Sequence, residues 1–446
     1  MASLSILVTT PSPRTVAVLG AGLAGITTAY HLSRQNYHVT VLDYPEWRDG
    51  FRTNPSDAAP ILLGCHQESH RMLHMLQGPQ SPPSDHSAPL VFRLPDGRTA
   101  AYQAARLPGA FQWMLSLFRF PGLAWHDRWK LFSHVEQIWE QAQTLPADLD
   151  NRMAAEWLTT IGQSTESRDR IWDPLTRWLT GNTLERLSAA TFVQLLSTVF
   201  LGHASDARLT VLTGSIATRF LDPMKEASPH DRVNIVPLTH EPHLQFGRSG
   251  LDEVRLFNGT TFKAQWYILA LSHERLLALL PERVLTRYAY FSHITELRTL
   301  PEVVIHLTYR TAASDSSLLL LTGRPFQHVS VTPADSDHCT YRLSAIDRDA
   351  FRDLGDDQLI VEGNSELRLL IPEAATDTLV SKAVSREQHA ALSLAPGTAR
   401  LRPLQQSPFP NLLLAGSWTD TGWPANLEST LISAKRCAEL ISGQTT

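Results

Sequence analysis

The stretch that most constrains the fold lies near the start of the chain, between Val16 and Asp43. An apolar run is followed by three glycines in the spacing G-x-G-x-x-G, then by a helical pattern, and then by a second β-rich run that ends on Asp43. A strand, turn, helix and strand in this order, within about 30 residues, are typical of dinucleotide-binding domains. The sequence therefore predicts an α/β fold built on a parallel sheet.

Each part of this stretch has a physical role. Gly20 permits the tight turn, Gly22 lets the backbone approach a pyrophosphate, and Gly25 lets the helix pack closely on the strand. The helix N-terminus offers free N–H groups to the phosphates, and Asp43 can accept hydrogen bonds from the adenosine ribose. We predict cofactor contacts along the loop at Gly20, Ala21, Gly22, Leu23, Ala24 and Gly25. The stretch alone does not choose between NAD and FAD.

A Gly-x-Arg sequence, Gly50-Phe51-Arg52, follows the second strand. It would place the Arg52 guanidinium near the cofactor phosphates, because Arg binds phosphate through paired N–H donors. The alternative is an arginine in a surface loop.

Composition excludes several classes of protein. The 446 residues allow two or three domains, and 43% hydrophobic and 19% charged residues are those of an ordinary globular protein. A formal net charge of −5 gives no indication of nucleic-acid binding. Cys65, Cys339 and Cys437 are widely spaced, which is typical of a reducing compartment. We find neither a signal peptide nor a run of about 18 apolar residues, so we expect a cytoplasmic protein without a membrane span.

Three histidines recur at helical spacing between Leu62 and Leu76, which we predict to be one helix. His66 and His74 are two turns apart, about 12 Å along a helix, so the three imidazoles cannot share one metal ion. We therefore predict no metal site there.

Tryptophan is concentrated in the middle of the chain. Seven of the eleven tryptophans lie between Trp113 and Trp178, in a region predicted to be mostly helical. The stretch 111–132 mixes aromatic residues with Arg119, Arg128 and Lys130. Such a mixture suits a helix pair at a membrane interface, but the aromatic residues could equally fill a core or line a large apolar pocket.

The C-terminal stretch from Asn411 to Ile441 contains a second strand, loop and helix. Asn426 or a neighbour can cap the helix, and Glu428 lies in its first turn, where it could cap backbone N–H groups. The isoalloxazine ring of FAD lies far from the adenosine and needs a binding site of its own. A helix N-terminus stabilises the negative charge of a reduced flavin. This second unit therefore favours FAD over NAD.

The two stretches together with Arg52 resemble the FAD-dependent amine oxidase and phytoene desaturase superfamily. The run LAGSWTDTGWPANLES is similar to the signature of its squalene-associated members, the hydroxysqualene dehydroxylases of hopanoid biosynthesis. Trp172-Asp173-Pro174-Leu175, the region 185–189 and Arg402-Pro403 also match. The chain departs at Ser417, where the family has Asp, and at Ala58-Ala59-Pro60, where it has Gly-Gln-His. The resemblance implies flavin contacts in the C-terminal loop at Gly416, Ser417, Trp418, Trp423 and Pro424.

The resemblance also implies an architecture. We expect a discontinuous Rossmann-like FAD-binding domain of the two-dinucleotide-binding-domain flavoprotein type, formed by residues 14–76, 205–282 and 404–442. The second, α+β substrate domain is expected at 89–204 and 283–403, with an antiparallel sheet and a Trp-rich helical part at 108–204.

The implied reaction is reductive dehydroxylation of hydroxysqualene to squalene, in which reduced flavin supplies a hydride and an acid protonates the leaving oxygen. Asp420 and His66 are the candidate acids; Asp420 could instead cap its own loop. An amine or amino-acid oxidase and a non-catalytic flavin-binding protein are the alternatives. A lipid-like substrate implies peripheral contact with the cytoplasmic membrane, and the sequence does not identify the electron donor.

Overall fold

The structure is a computed structural model that describes residues 14–47, 60–77, 85–105, 110–311, 317–335, 337–371 and 378–444. In chain order, the strands of the described residues are β1 (Thr15–Leu19), β2 (His38–Asp43), β3 (Ile61–Leu63), β4 (His86–Ala88), β5 (Leu90–Arg93), β6 (Thr99–Tyr102), β7 (Leu209–Val211), β8 (Val233–Pro237), β9 (His243–Phe246), β10 (Leu251–Arg255), β11 (Thr261–Phe262), β12 (Trp266–Leu269), β13 (Thr299–Arg310), β14 (Ser317–Leu321), β15 (His328–Pro333), β16 (His338–Ile346), β17 (Thr378–Leu392) and β18 (Leu412–Leu414).

The helices of the same residues are α1 (Leu23–Ser33), α2 (Gln67–Gln77), α3 (Ala110–Arg119), α4 (Trp125–Ser133), α5 (Val135–Thr144), α6 (Ala154–Thr160), α7 (Thr165–Ser167), α8 (Asp173–Thr180), α9 (Ala189–Leu196), α10 (Asp222–Ala227), α11 (His273–Leu279), α12 (Glu282–Arg287), α13 (Ala289–Ile294), α14 (Asp349–Arg352), α15 (Asp356–Leu370) and α16 (Leu427–Gln444). Short π-helical turns precede α8 and α10 and follow α9.

A five-stranded parallel sheet forms the first layer of the molecule, with the strand order β18-β12-β1-β2-β8. All four strand pairs are parallel. Its strands β1 and β12 are mostly apolar and buried, as expected of a parallel sheet with helices on both faces. The strands come from three distant parts of the chain, and α1 and α16 pack against one another on one face. This sheet confirms the predicted Rossmann-like α/β fold.

A mixed seven-stranded sheet forms the second layer, with the order β17-β13-β16-β15-β14-β5-β6. Helix α15 covers one face, where Ile305, Leu307 and Tyr309 of β13 are buried. The other face meets a helical layer built by α3 to α9, and Leu90 and Phe92 belong to the core that it shares with those helices. A hairpin turn at Pro95-Asp96-Gly97 joins β5 to β6.

Two parts of the predicted secondary structure differ from the fold. The helix predicted from Leu62 is wrong at its start, because Ile61–Leu63 is a strand paired with β7 and the helix begins at Gln67. A Cβ on Gly64 would lie 1.8 Å from the carbonyl oxygen of Ser205, so the chain turns there in close contact with its neighbour. The long edge strand β17 has no predicted counterpart.

The tryptophans of the middle region divide between two environments. Trp157 and Trp172 are buried in the helical layer, which confirms the core interpretation for them. Trp125, Trp129 and Trp139 are exposed by 67%, 54% and 56%. The layer encloses an apolar cavity of about 30 Å³, and a large apolar pocket lined by these aromatic residues stays a prediction. Among the described residues, none of the helices combines the length and apolarity that a membrane crossing requires.

Candidate FAD site

The carboxyl ends of the parallel strands meet at one edge of the five-stranded sheet. Backbone hydrogen bonds hold the loops there in register: Gly20 N–H donates to Leu42 O over 2.9 Å, and Ala270 N–H donates to Leu19 O over 2.8 Å. Ala415 N–H donates to the carbonyl oxygen of β12's last residue over 3.1 Å. The loops after β1, β12 and β18 therefore leave the sheet side by side, at the edge where open α/β sheets bind ligands.

The three glycines of the first loop differ in the space around their Cα atoms. A Cβ on Gly20, whose φ is +106°, would lie 2.4 Å from Ala270 O, and one on Gly25 would lie 1.9 Å from Gly20 O. A Cβ on Gly22 would meet no heavy atom within 4 Å. Gly22 is the N-cap residue of α1 and supplies no side-chain cap. The helix N-terminus thus faces open space through Gly22, which is the arrangement that a pyrophosphate needs.

Asp43 is the last residue of β2 and is buried, and its carbonyl oxygen accepts from Leu238 N–H over 2.8 Å. It lies at the carboxyl edge, next to the loop of Gly20. Ala21, Leu23 and Ala24 are also buried; Ala21 lies in the loop before the N-cap, and Leu23 and Ala24 are the first two residues of α1. Arg52 lies outside the described residues.

Arginine side chains hold the C-terminal loop, and the half-buried Arg402 makes the largest number of contacts. The guanidinium of Arg402 donates to the carbonyl oxygens of Ser417, Trp418, Thr419 and Trp423 over 2.6 to 3.3 Å. Burial lowers the pKa of Arg402 to about 10, and the nearby Asp420 opposes that shift. These carbonyl groups therefore turn inward toward the arginine, and the loop keeps a fixed shape.

Asp420 acts within this loop as a turn residue. Its Oδ1 accepts from Gly422 N–H over 3.1 Å, in an Asx turn. Asp420 does not line the cleft that contains Gly416, Ser417 and Trp418. This contact agrees with the interpretation that Asp420 caps its own loop. A catalytic role for Asp420 stays a prediction.

Glu428 caps a helix, but not its own. Its two carboxylate oxygens accept from the backbone N–H groups of Glu68 and Ser69 over 2.8 Å each and from Ser69 Oγ over 2.6 Å. Its carboxylate therefore sits at the N-terminus of α2, where the helix dipole favours negative charge. The N-terminus of α16 is capped by Asn426, whose Oδ1 accepts from Ser429 N–H over 2.9 Å.

Residues from both ends of the chain line one cleft of about 260 Å³. The N-terminal loop contributes Gly22, Leu23 and Ala24. The C-terminal loop and the start of α16 contribute a second set, Gly416, Ser417, Trp418, Ala425, Asn426, Leu427 and Thr430. The Trp418 indole is fixed by donation from its Nε1 to Leu271 O over 2.9 Å.

Two predicted contacts lie beside this cleft. Trp423 and Pro424 line a neighbouring cavity of about 100 Å³ against α9. The Trp423 ring meets the buried ring of His66 edge-on, with the centroids 5.3 Å apart. His66 Nδ1 accepts from Leu63 N–H over 3.3 Å, and burial lowers the pKa of His66 to about 4, so the ring is neutral near pH 7.

The cleft also contains a cluster of polar side chains that sequence analysis missed. Glu274 lies between two histidines, with His389 Nδ1 at 2.9 Å from one carboxylate oxygen and His273 Nδ1 at 3.2 Å from the other. Thr299 Oγ1 donates to Glu274 over 3.1 Å. One signal was available: His273 and Glu274 follow an apolar strand, at the carboxyl edge where ligands bind. Thr299 and His389 carry no local signal, because they come from the other sheet.

These residues fit a flavin dinucleotide. The open approach at Gly22 suits a pyrophosphate, and the fixed loop together with the N-terminal end of α16 beside Asn426 suits an electron-rich ring. Gly20 to Gly25 and Asp43 would hold the adenosine half, and Gly416 to Trp418 the flavin half. Both halves border one cleft, which a dinucleotide can bridge.

Comparison with known proteins gives the family. The model of the flavin-containing amine oxidoreductases matches residues 59–442, and that of an NAD(P)-binding Rossmann-like domain matches residues 18–45. The chain therefore belongs to the flavin-containing amine oxidoreductase family, whose members are oxidoreductases. This confirms FAD as the cofactor and the amine oxidase superfamily as the class.

Several similar curated proteins are carotenoid desaturases. The zeta-carotene desaturase of Synechocystis sp. is 22% identical over 96% of both chains. A 15-cis-phytoene desaturase of an Oncidium hybrid cultivar is 22% identical over 96% of this chain and 78% of its own.

Solved structures share the fold at lower identity. An oxidoreductase from Methanosarcina mazei has a TM-score of 0.70 at 14% identity, covering 96% of this chain and all of its own. A variant of putrescine oxidase has a TM-score of 0.70 at 16% identity, covering 97% and 99%. These comparisons do not confirm the resemblance to the squalene-associated members of the superfamily.

Proposed function

We propose that this protein is an FAD-dependent oxidoreductase that acts on a long isoprenoid, and that it converts hydroxysqualene to squalene. The observation that carries the proposal is the apolar lining of the cavity inside the helical layer. Among the described residues this cavity is lined by aliphatic and aromatic side chains, with no carboxylate to bind an amine and no guanidinium to bind an amino acid. This lining favours a hydrocarbon chain over the substrates of amine oxidases.

The chain's own residues would position and shield the reaction. The cavity of about 30 Å³ holds little more than one water, so a long substrate must part the aliphatic side chains as it enters. Reduced FAD, when bound, supplies the hydride. The surrounding aromatic rings, such as Phe92 and Trp172, exclude water and stabilise a developing allylic cation.

The C-terminal run LAGSWTDTGWPANLES supports the choice of hydroxysqualene among isoprenoids. The carotenoid desaturases at 22% identity support an isoprenoid substrate but act on hydrocarbons. Hydroxysqualene differs in carrying an allylic hydroxyl group, so the two reactions need different polar groups beside the cleft.

The test uses the purified flavoprotein without oxygen. For hydroxysqualene the flavin is first reduced by dithionite, because this reaction consumes a hydride. Phytoene and putrescine are each added to the oxidised flavoprotein, because their reactions deliver electrons to the flavin, and all products are measured by mass spectrometry. Squalene from hydroxysqualene is the expected result. Reduction of the oxidised protein's flavin by putrescine, without squalene formation, would establish an amine oxidase instead. Desaturated phytoene would assign a carotenoid-type reaction, and bound flavin with no product would leave a flavin-binding protein.

We also propose that a lipid surface contacts the helix pair α3–α4. Trp125 and Trp129 lie one turn apart on α4 and are both exposed, and their rings meet that of Phe118 with centroids 5.1 and 6.4 Å apart. The exposed Arg119 lies beside them. Exposed tryptophans next to basic side chains suit an interface with anionic lipid headgroups.

Vesicle sedimentation tests this contact. Wild-type protein should sediment with vesicles of phosphatidylglycerol and phosphatidylcholine, and the double variant W125S/W129S should stay in solution. Trp139 is equally exposed but lies on α5, so W139S is the matched control and should sediment like the wild type. The proposal fails if the wild type does not sediment, or if W139S and the double variant behave alike.

A further inference from the structure

A second cleft, of about 540 Å³, is lined by residues of β6, of α3 and of the turn that precedes β7. Its volume is within the range of pockets that hold organic ligands. Among the described residues, none of those that line the second cleft also lines the FAD cleft. It is therefore a separate candidate site, and neither the flavin nor its loops explain it.

Two guanidinium groups supply the charge of the second cleft. Arg119 lies in the last turn of α3, Arg208 lies in the turn before β7, and both residues are exposed. Among the described residues, neither side chain has a hydrogen-bond or ion-pair partner, and no carboxylate lines the cleft. Two uncompensated positive charges in a chain of net charge −5 indicate an anionic ligand. Guanidinium groups bind phosphate through paired N–H donors.

Backbone contacts fix the two segments that carry these arginines. The carbonyl oxygen of Arg208 accepts from Gly64 N–H over 2.9 Å, which ties the turn to the end of β3. In the last turn of α3, the carbonyl oxygen of Phe118 accepts from Arg128 over 2.7 Å, so Arg119 is not needed there. A ligand would therefore meet two arginines on ordered backbone, which lowers the entropic cost of binding.

The lining of the second cleft changes from polar to apolar at Tyr102 and Phe120. The Tyr102 hydroxyl group is hydrogen-bonded to Ser116, which also lines this cleft. The rings of Tyr102 and Phe120 meet edge-on with centroids 5.7 Å apart, and both rings also line the apolar cavity of the helical layer. The two rings thus form a wall that the polar cleft and the apolar cavity share.

We propose that the second cleft binds a lipid with a phosphate or diphosphate head group. The guanidinium groups of Arg119 and Arg208 bind the head group. The hydrocarbon chain packs on the small side chains of the cleft, such as Ala101 and Ala207, and on the rings of Tyr102 and Phe120. An inorganic phosphate would use only the arginines and leave this apolar lining in water. The proposal does not depend on the proposed dehydroxylation.

Two sources share this ligand chemistry. One is a water-soluble isoprenoid diphosphate, and the other is an anionic phospholipid of a membrane. Arg119 directly follows Phe118, whose ring meets that of the exposed Trp125 with centroids 5.1 Å apart. A membrane that contacts α4 would therefore lie close to the second cleft, so the experiment includes an arm for each source.

Isothermal titration calorimetry of the flavin-loaded protein tests the proposal. Farnesyl diphosphate is the probe for the whole ligand, and inorganic pyrophosphate is the probe for the head group alone. The variant R119S/R208S removes both guanidinium groups from the cleft. The control R248S/R310S removes the same charge from two exposed arginines that do not line it. Flavin absorbance shows that each variant is folded.

We expect farnesyl diphosphate to bind the wild type and R248S/R310S alike, and to bind R119S/R208S ~100-fold or more weakly, because charge-assisted hydrogen bonds are lost. Pyrophosphate should bind the wild type ~10-fold or more weakly than farnesyl diphosphate, because it has no chain to bury. Equal affinity for the two probes would show a plain anion site and overturn the lipid ligand. Wild-type affinity in R119S/R208S, or no binding of farnesyl diphosphate to the wild type, would also overturn the proposal.

Vesicles then distinguish the two sources. They are added as competitors of farnesyl diphosphate, with phosphatidic acid in phosphatidylcholine in one sample and phosphatidylcholine alone in the other. Competition by the phosphatidic acid vesicles only would assign a membrane phospholipid to the cleft. Unchanged binding of farnesyl diphosphate in both samples would assign the soluble isoprenoid diphosphate. No hydroxysqualene enters these titrations, so their outcome is independent of the dehydroxylation assay.

Discussion

The carboxylate of Glu428 joins the C-terminal helix α16 to the start of α2, and its removal gives a sharp test of that connection. In E428A, three donors that now bind the carboxylate lose their acceptor: the N–H groups of Glu68 and Ser69 and the Ser69 hydroxyl group. Glu428 itself is 1% exposed.

The magnitude follows from the number of donors left unsatisfied. Each buried unsatisfied group costs about 1 to 3 kcal/mol, and water entering the space left by the side chain keeps the cost near the lower value. Three donors at ~1 kcal/mol each give about 3 kcal/mol. This corresponds to a little over a 100-fold increase in the local opening equilibrium.

Hydrogen exchange read by mass spectrometry is the suitable assay, because a protein of 446 residues with two layers need not unfold in two states. Peptides covering α2 should exchange about 100-fold faster in E428A. E439A is the control, because Glu439 lies on the same helix and is exposed. Equal exchange of α2 in E428A and E439A would refute the reasoning.

Two further predictions concern the cofactor and pH. Gly22→Val should fold normally but lose flavin, because its side chain would enter the open approach to α1. Gly25→Val should fail to fold, because its Cβ would meet Gly20 O. Flavin absorbance and thermal melting distinguish these outcomes, and full flavin occupancy in Gly22→Val would contradict the site. Burial lowers the pKa values of His66 and His306 to about 4 from 6.5. Between those values the unfolded chain binds more protons than the folded one, so stability falls as pH falls, by at most about 3 kcal/mol for each histidine. The decline of Tm from pH 6.5 to 4.5 should therefore be smaller in H306N than in the wild type, and an identical decline would show that His306 contributes nothing.

The two ends of the chain could be interpreted from sequence because their signals are local. The glycines before α1 and the turn-rich loop before α16 each specify a conformation within about ten residues. The structure adds contacts between residues that are far apart in the chain. Glu428 caps α2 rather than its own helix, and Arg402 binds four carbonyl oxygens of the loop.

The missed elements depend on partners far away in the chain. Strand β17 is an edge strand with mostly exposed polar side chains, so it lacks the alternation that marks a strand, and pairing with β13 holds it. The histidine spacing near His66 did not indicate that β3 precedes α2, because a three-residue strand is too short to show the alternation of apolar and polar residues.

The order of strands in the five-stranded sheet has a consequence for synthesis of the chain. Strand β1 can pair with β2 as soon as both have left the ribosome, but β18 begins at Leu412, more than 350 residues after Asp43. Until then the cleft lacks the wall that the C-terminal loop and α16 supply, and a nascent chain has the residues for the adenosine half of the dinucleotide but not those for the flavin half. Stable flavin retention is therefore a marker that the last helix has docked, and loss of the yellow colour would report truncation or misfolding of the C-terminus before any activity is assayed.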